Sequence, residues 1–269
     1  MTQQRDTNTD GSRGLASPED ERSNCGVGVV MDLDDGRSHD VVADGIELLE
    51  NLEHRGTTGA EEATGDGAGV MLQTPHEFFA DELDVELPDQ YAAGSFFLPQ
   101  DADAAAVLRE RTEDVLADYG VDVVHWRDVP TDNAELGATA VDSEPDVWQC
   151  FVTPAGDATD EEFDRALYVA RRALENEIED DEPAGADRFY VCSLDRQTLV
   201  YKGLLKGEQV SSYYPDLADE RVQSTFAMVH ERFSTNTLGA WHLAHPYRGI
   251  IHNGEFNTIQ GNINWMRAR

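Results

Sequence analysis

Lysine is nearly absent from this chain of 269 residues: only Lys202 and Lys206 occur, and the other basic residues are arginines. Acidic residues outnumber basic residues by 54 to 20, which gives a formal net charge of −34. The missing basic surface argues against a nucleic-acid partner. The acids are spread along the chain, which favours adaptation to concentrated salt over an acidic binding tail. At about 1 M ionic strength the Debye length is roughly 3 Å, so repulsion between surface carboxylates is screened.

Cysteine and long apolar runs are also scarce. The three cysteines, Cys25, Cys150 and Cys192, do not describe a disulfide framework. No apolar run approaches the roughly 20 residues of a membrane-spanning helix, so we expect no membrane partner. The N-terminal segment lacks the apolar middle region of a secretory signal, and the expected location is the cytoplasm.

What is present divides the chain at Cys25. Residues 1–24 are polar and without periodicity, which predicts a flexible leader. The stretch CGVGVV that follows is apolar and β-branched and predicts a buried strand. We therefore expect one folded unit over residues 25–269.

Apolar patterns predict the main elements of this unit. Helical spacing predicts helices within 40–56, 101–119 and 161–178. Strands are expected within 25–33, 67–75, 91–99, 121–129, 146–154, 224–234 and 247–255, with a further pair joined by a turn near Asp195. This order favours an α+β fold with stacked, mainly antiparallel sheets. Trp265 and Met266 have nothing after them to pack over them, which predicts that the chain stops partway through a larger domain.

Cys25 has two interpretations. In the first, it is a small buried strand residue, which is the usual position of a free cysteine. Alternatively it is a nucleophile. If residues 1–24 were removed, its own α-amino group, with a pKa of about 7.7–8.0, could take the proton of a thiol whose pKa is about 8.5.

Three other stretches also have two interpretations, and taken alone each favours the first of the two. The glycine-rich GTTGAEEATGDGAGV, residues 56–70, is a turn-rich connection or a backbone that approaches a substrate or the nucleophile strand. Arg232 in HERFSTNT forms a surface ion pair or binds a carboxylate bidentately. Asn253-Gly254 in IIHNGE forms a tight turn or an oxyanion hole.

Together these stretches resemble a known family. CGVGVV, then LENLEHRGTTGAEEATGDGAGVMLQTPHEFF, then HERFSTNTLGAWHLAHPYRGIIHNGEFNTIQGNINWMRAR, occur in the order found at the start of glutamate synthase large subunits. That region is a class II glutamine amidotransferase domain, of the N-terminal nucleophile hydrolase type. The resemblance covers residues 25–269 and is dense at both ends. The block EHRGTTGAEEATGDGAG points to glutamate synthase in particular.

The resemblance implies a four-layer α/β/β/α sandwich and a leader, residues 1–24, that is cleaved to leave Cys25 first. It implies that Cys25 attacks the side-chain amide of L-glutamine through a thioester and releases ammonia. Asn253 and Gly254 would hold the oxyanion, Arg232 would bind the substrate α-carboxylate, and His245 would lie near the glutamine loop.

The resemblance also implies partners outside this chain. Ammonia would be added to 2-oxoglutarate on another domain or subunit, with FMN and an iron–sulfur cluster and an electron-donor subunit. We expect no cofactor or metal on this chain itself, since it has no cluster-type cysteine spacing. An acidic residue that binds the substrate amino group in the family would lie past Arg269.

Two alternatives stay open. One is another class II glutamine amidotransferase, of a purine or amino-sugar pathway. The other is a catalytically silent module with a structural or regulatory role.

Overall fold

The fold is built from two antiparallel sheets with helices packed on them. The computed structural model describes residues 26–34, 36–56, 58, 61–233, 239–252 and 259–269. The strands in these residues are β1 (Gly26–Met31), β2 (Ala68–Gln73), β3 (Ala92–Leu98), β4 (Val121–Asp128), β5 (Asp146–Pro154), β6 (Tyr190–Asp195), β7 (Thr198–Gly203) and β8 (Phe226–Glu231). The helices are α1 (His39–Glu50), α2 (His76–Glu82), α3 (Ala102–Asp118), α4 (Ala138–Asp142), α5 (Asp160–Asp181), α6 (Val210–Tyr213) and α7 (Gln260–Ala268).

Each sheet in the described part of the chain has four strands. The first has the order β1-β8-β2-β7 and the second β4-β5-β3-β6. All pairs are antiparallel. Gly26 at the start of β1 lies opposite Glu231 at the end of β8. Strand β8 therefore reaches from the core to the N-terminal end of the strand that follows Cys25.

Helices cover both sheets, because each helix has one apolar stripe that it buries against a sheet. Helix α1 packs on β8 and β1. Helices α3 and α5 pack together and on the second sheet. A capping box at Thr159 and Glu162 begins α5, which satisfies backbone N–H groups that have no partner within a helix. The stripe that α5 buries consists of Phe163, Leu167, Ala170, Leu174 and Ile178.

A buried ion pair joins the second sheet to the segment before β8. Both oxygens of Asp216 accept from the Arg127 guanidinium, at 2.7 and 2.8 Å. The side chains are 8% and 5% exposed. Gln149 also accepts from Arg127, and the Tyr201 hydroxyl lies 3.3 Å from Asp216. The charges are buried as a paired and hydrogen-bonded network, the arrangement that buried charges require.

The predicted α+β class with antiparallel sheets is confirmed, and the arrangement is consistent with the layered fold that the resemblance implied. Two strand predictions are wrong in part. The strand after Cys25 forms, but it is not buried: β1 lies at the edge of its sheet, and Val29 and Met31 are 46% and 55% exposed. The other is the strand expected within 247–255, which fails in its described part. In 247–252 the amides and carbonyls of Tyr247 and Ile250 bond to each other and close a turn instead of extending a strand. The leader, 1–24, lies outside the described residues, so its boundary stays a prediction.

Candidate active site

The predicted site residues are unequally described. Cys25, Asn253 and Gly254 lie outside the described residues, whereas Arg232 and His245 lie within them. Strand β1 begins at Gly26, directly after Cys25 in the chain, and β8 ends at Glu231, directly before Arg232. Because Gly26 and Glu231 are register partners, the residues next to Cys25 and Arg232 in the chain lie at the same end of one strand pair.

Gly26 is required by the close approach of these strands. A Cβ added there would lie 2.2 Å from the carbonyl oxygen of Glu231. Real Cβ atoms do not come so close to a backbone oxygen, so any larger residue would push β1 away from β8.

The glycine-rich stretch holds the corner that follows β8. Arg232 has a φ of 78°, a left-handed conformation that is uncommon outside glycine. Its amide donates to the carbonyl of Gly67 at 2.9 Å, and the amide of Phe233 donates to Asp66 at 3.1 Å. The surroundings therefore impose this backbone, as strained positions require. These contacts bring the stretch to the corner after β8, and both interpretations of the stretch stay predictions.

The Arg232 side chain lies beside Asp66 and Arg55. Its Nε lies 3.9 Å from Oδ2 of Asp66, and its Nη1 donates to the Arg55 carbonyl at 3.4 Å. The side chain is 24% exposed. Its partial solvent access leaves the planar guanidinium, a group suited to bidentate carboxylate binding, within reach of a ligand.

His245 is packed tightly and lies near the same corner. It is 4% exposed. Its ring stacks on His230, with centroids 4.5 Å apart, and approaches Tyr247 to 4.0 Å. Phe233, next to Arg232, stacks on His245 at 6.4 Å. The structure therefore brings the segments of Arg232 and His245 together.

The imidazole of His245 is neutral at neutral pH. Burial lowers its pKa to about 4, and the nearby Lys202 and His252 act in the same direction. A hydrogen bond with the Ile250 backbone acts against them. His245 can therefore orient a ligand by packing or by a neutral hydrogen bond, but it does not supply a positive charge.

Glu231 is a site feature that the sequence reasoning missed. Its carboxyl is 4% exposed. A Cβ added at Gly56 would lie 2.3 Å from Oε1 of Glu231, and one added at Gly207 would lie 2.6 Å from Oε2. Burial, followed by the charge of Asp66, raises its pKa to about 8, which the Gly207 amide and Lys206 only partly offset. The only signal was its place beside Arg232 in HERFSTNT.

Lys202 is the second missed residue. It is 1% exposed on β7, and its ammonium donates to the carbonyls of His242 and Ala244. A lysine between apolar strand residues gives no local sign of burial, so only the packing reveals it.

The described residues include no group of three or more His, Cys, Asp or Glu side chains that could hold a metal ion. Cys150 and Cys192 are buried, and burial raises the pKa of each thiol. They are therefore poor nucleophiles. No helix in the described part of the chain is long and apolar enough to cross a membrane.

Comparison with known proteins shows the family to which this chain belongs. The family model "Glutamine amidotransferases class-II" matches residues 25–269. The chain belongs to the class II glutamine amidotransferases. The match begins at Cys25, the residue that the sequence singled out as a nucleophile.

Individual relatives of this class II domain are glutamate synthases. The chain is 43% identical over 262 residues to the glutamate synthase [NADPH] large chain of Bacillus subtilis, covering 96% of this chain and 17% of that protein. It is 40% identical over 257 residues to the corresponding Azospirillum brasilense chain, covering 94% and 17%. It is 39% identical over 254 residues to ferredoxin-dependent glutamate synthase 1 of Arabidopsis thaliana, covering 93% and 16%. The chain thus spans about a sixth of the length of these relatives, to whose glutaminase portion it is homologous.

Proposed function

We propose that this chain is the glutaminase portion of a glutamate synthase and that Cys25 is its nucleophile. The observation that supports this most is the shared end of β1 and β8: β1 follows Cys25 directly, and Arg232 follows β8 directly. A nucleophile and a carboxylate-binding group that flank one strand end can address two ends of the same small substrate.

The proposed reaction has two steps. Removal of residues 1–24 frees the α-amino group of Cys25, which takes the thiol proton. The thiolate attacks the side-chain amide carbon of glutamine, the C–N bond breaks, and the proton passes to nitrogen so that ammonia leaves. Water then attacks the γ-glutamyl thioester, the C–S bond breaks, and glutamate and the thiol are released.

Four groups have proposed roles in these steps. Arg232 binds the substrate α-carboxylate through its planar fork of donors. Asn253 and Gly254 donate to the oxygen that becomes negative in the tetrahedral intermediate. His245, buried and neutral, shapes the substrate pocket beside the Arg232 corner.

The rest of the proposed pathway lies outside this chain. The names of the relatives support the synthesis of glutamate with NADPH or ferredoxin as electron donor. We infer that the released ammonia is added to 2-oxoglutarate by the remainder of such a synthase. FMN and an iron–sulfur cluster would belong to that remainder.

Intact mass and thiol labelling test the nucleophile first. The protein in about 2 M KCl is expected to lack residues 1–24 and to react once with iodoacetamide, at Cys25. Cys150 and Cys192 serve as internal controls, because both are buried. A mass that retains the leader, or labelling that avoids Cys25, would contradict the proposed base and nucleophile.

Glutaminase assays then test the roles. Cys25→Ala should abolish ammonia release, and Arg232→Ala should raise KM for glutamine at least tenfold. Arg165→Ala is the matched control, since Arg165 is 68% exposed and far along the chain on α5. Equal activity of Cys25→Ala and the wild type would refute the enzyme assignment. A wild type that is processed yet inactive would favour the silent-module alternative.

A further inference from the structure

Lys202 is an unusual group for a protein interior. It is one of two lysines, is the last residue but one of β7 and is 1% exposed. Burial lowers the pKa of its ammonium to about 7; the Cys192 thiol acts against this and Arg248 adds to it. An ammonium in such a place is retained only where its donors are satisfied.

The donors of Lys202 are directed at one short segment. We call residues 241–247 the His245 segment; it begins with a short 3₁₀ helix, Trp241–Leu243. Nζ donates to the carbonyl of His242 at 2.9 Å and to that of Ala244 at 2.7 Å. The third donor direction is covered by aromatic faces, since Nζ lies 4.5 Å from the Tyr190 ring centre and 4.7 Å from that of Tyr247.

These contacts are backbone and aromatic rather than ionic. Among the described residues Lys202 forms no salt bridge, whereas Lys206 pairs with Glu208. A buried lysine without a carboxylate contributes no ion-pair energy to the fold. What its geometry does provide is a fixed position for two carbonyls that lie just before His245.

The sheet leaves a gap into which the His245 segment fits. Lys202, Gly69 and His230 form one row across β7, β2 and β8, so they point to the same face. Gly69 has no side chain, and a Cβ there would lie 2.7 Å from the carbonyl oxygen of His245 and 2.6 Å from Cβ of Lys202. The segment therefore sits over β2, held by Lys202 on one side and stacked on His230 on the other.

We propose that Lys202 is a positioning residue for glutamine binding: by tying the carbonyls of His242 and Ala244 to β7, it fixes His245 beside the Arg232 corner. This inference rests on the proposed glutaminase function. Without the ammonium, two carbonyls packed in the interior lose their donor, and the segment must shift to recover hydrogen bonds. His245 would move with it, because it is the next residue after Ala244.

Several titratable groups face this ammonium from the neighbouring elements. Strand β6 contributes Tyr190 and Cys192. The segment after β8 contributes His242, His245, Tyr247 and Arg248. Helix α5 contributes Glu175, which pairs with Arg248. Loss of the Lys202 charge removes one cause that lowers the pKa of His242 and His245. All variants are therefore measured at the same pH, so that a difference between them is not a difference in pH.

The test compares Lys202→Met with Lys206→Met, the other lysine. Lys202→Met should raise KM for glutamine at least tenfold with kcat changed less than threefold, and Lys206→Met should change neither more than twofold. Protein with ¹³C-labelled histidine rings supplies a second readout. The His245 signal, identified by its loss in His245→Gln, should shift in Lys202→Met and stay in place in Lys206→Met.

The outcomes separate the two proposals. A Lys202→Met protein with wild-type KM and an unmoved His245 signal overturns the positioning role. A wild type without glutaminase activity overturns the proposed function, but the His245 signal still tests the positioning. If Lys202→Met does not fold, Lys202→Gln retains an N–H₂ donor and should show a smaller shift of the same signal. An unmoved signal in that variant also overturns the proposal.

Discussion

Replacing Glu231 by glutamine should remove a large pH-dependent cost from the fold. Burial raises the pKa of this carboxyl from 4.5 to about 8, so the folded protein keeps a proton that the unfolded chain releases. Where the folded state binds more protons, the free energy of unfolding falls as pH rises. At about 1.36 kcal/mol per pH unit, the loss between pH 5.5 and 8 is roughly 3 kcal/mol.

The glutamine side chain has nearly the same shape and cannot ionise. Glu231→Gln should therefore gain about 3 kcal/mol on the wild type between pH 5.5 and pH 8. Urea unfolding followed by tryptophan fluorescence, in about 2 M KCl to screen the many surface carboxylates, measures this difference. Glu208→Gln is the control, because Glu208 is 49% exposed and follows Gly207, which packs against the Glu231 carboxyl.

The two pH profiles decide the matter. Glu231→Gln and wild type should converge at low pH and diverge as pH rises, while Glu208→Gln should follow the wild type. Parallel profiles for wild type and Glu231→Gln would show that the carboxyl is already ionised in the folded protein. The argument from its burial between Gly56 and Gly207 would then be refuted.

Three further predictions follow from charge and packing. Because the net charge is −34, the melting temperature measured by circular dichroism should rise by at least 10 °C between about 0.2 and 3 M KCl. A melting temperature that stays constant or falls as KCl increases would contradict adaptation to salt. Gly69→Ala should displace His245 and raise KM for glutamine at least tenfold, whereas Gly156→Ala, with nothing within 4 Å of the added Cβ, should not; equal effects in kinetics would contradict the packing described. Asp216→Asn should lower the free energy of unfolding by about 3 kcal/mol, because it leaves the buried Arg127 charge with only the more distant Glu82 carboxylate, 3.8 Å away; a change below about 1 kcal/mol in urea unfolding would show that water reaches the pair.

Much of the fold could be predicted from local patterns. The strand expected within 146–154 is β5, Asp146–Pro154, and the helix expected over 161–178 is α5, Asp160–Asp181. Both carry an apolar repeat that is complete within the element. The segment 247–255 failed in its described part because an apolar pair, Ile250 and Ile251, looks the same in a strand and beside a turn.

The candidate site was predictable only where a motif marks it. Arg232 and His245 stand in stretches whose order resembles a known family, and the structure brings their segments together through Gly67 and Phe233. Lys202 had no such mark. Its acceptors lie 40 and 42 residues away along the chain, and nothing near it in the sequence announces them.

By itself, the sequence determined the acidic charge, the class of fold and the order of the motifs, because composition, periodicity and spacing are properties of neighbouring residues. Only the tertiary structure decided which charges leave water. Desolvation depends on what packs around a group from distant parts of the chain, as Gly56 and Gly207 do around Glu231 and as the His245 segment does around Lys202. That is why the carboxyl beside Arg232 is expected to stay protonated at neutral pH, and why a buried lysine lies next to the His245 segment.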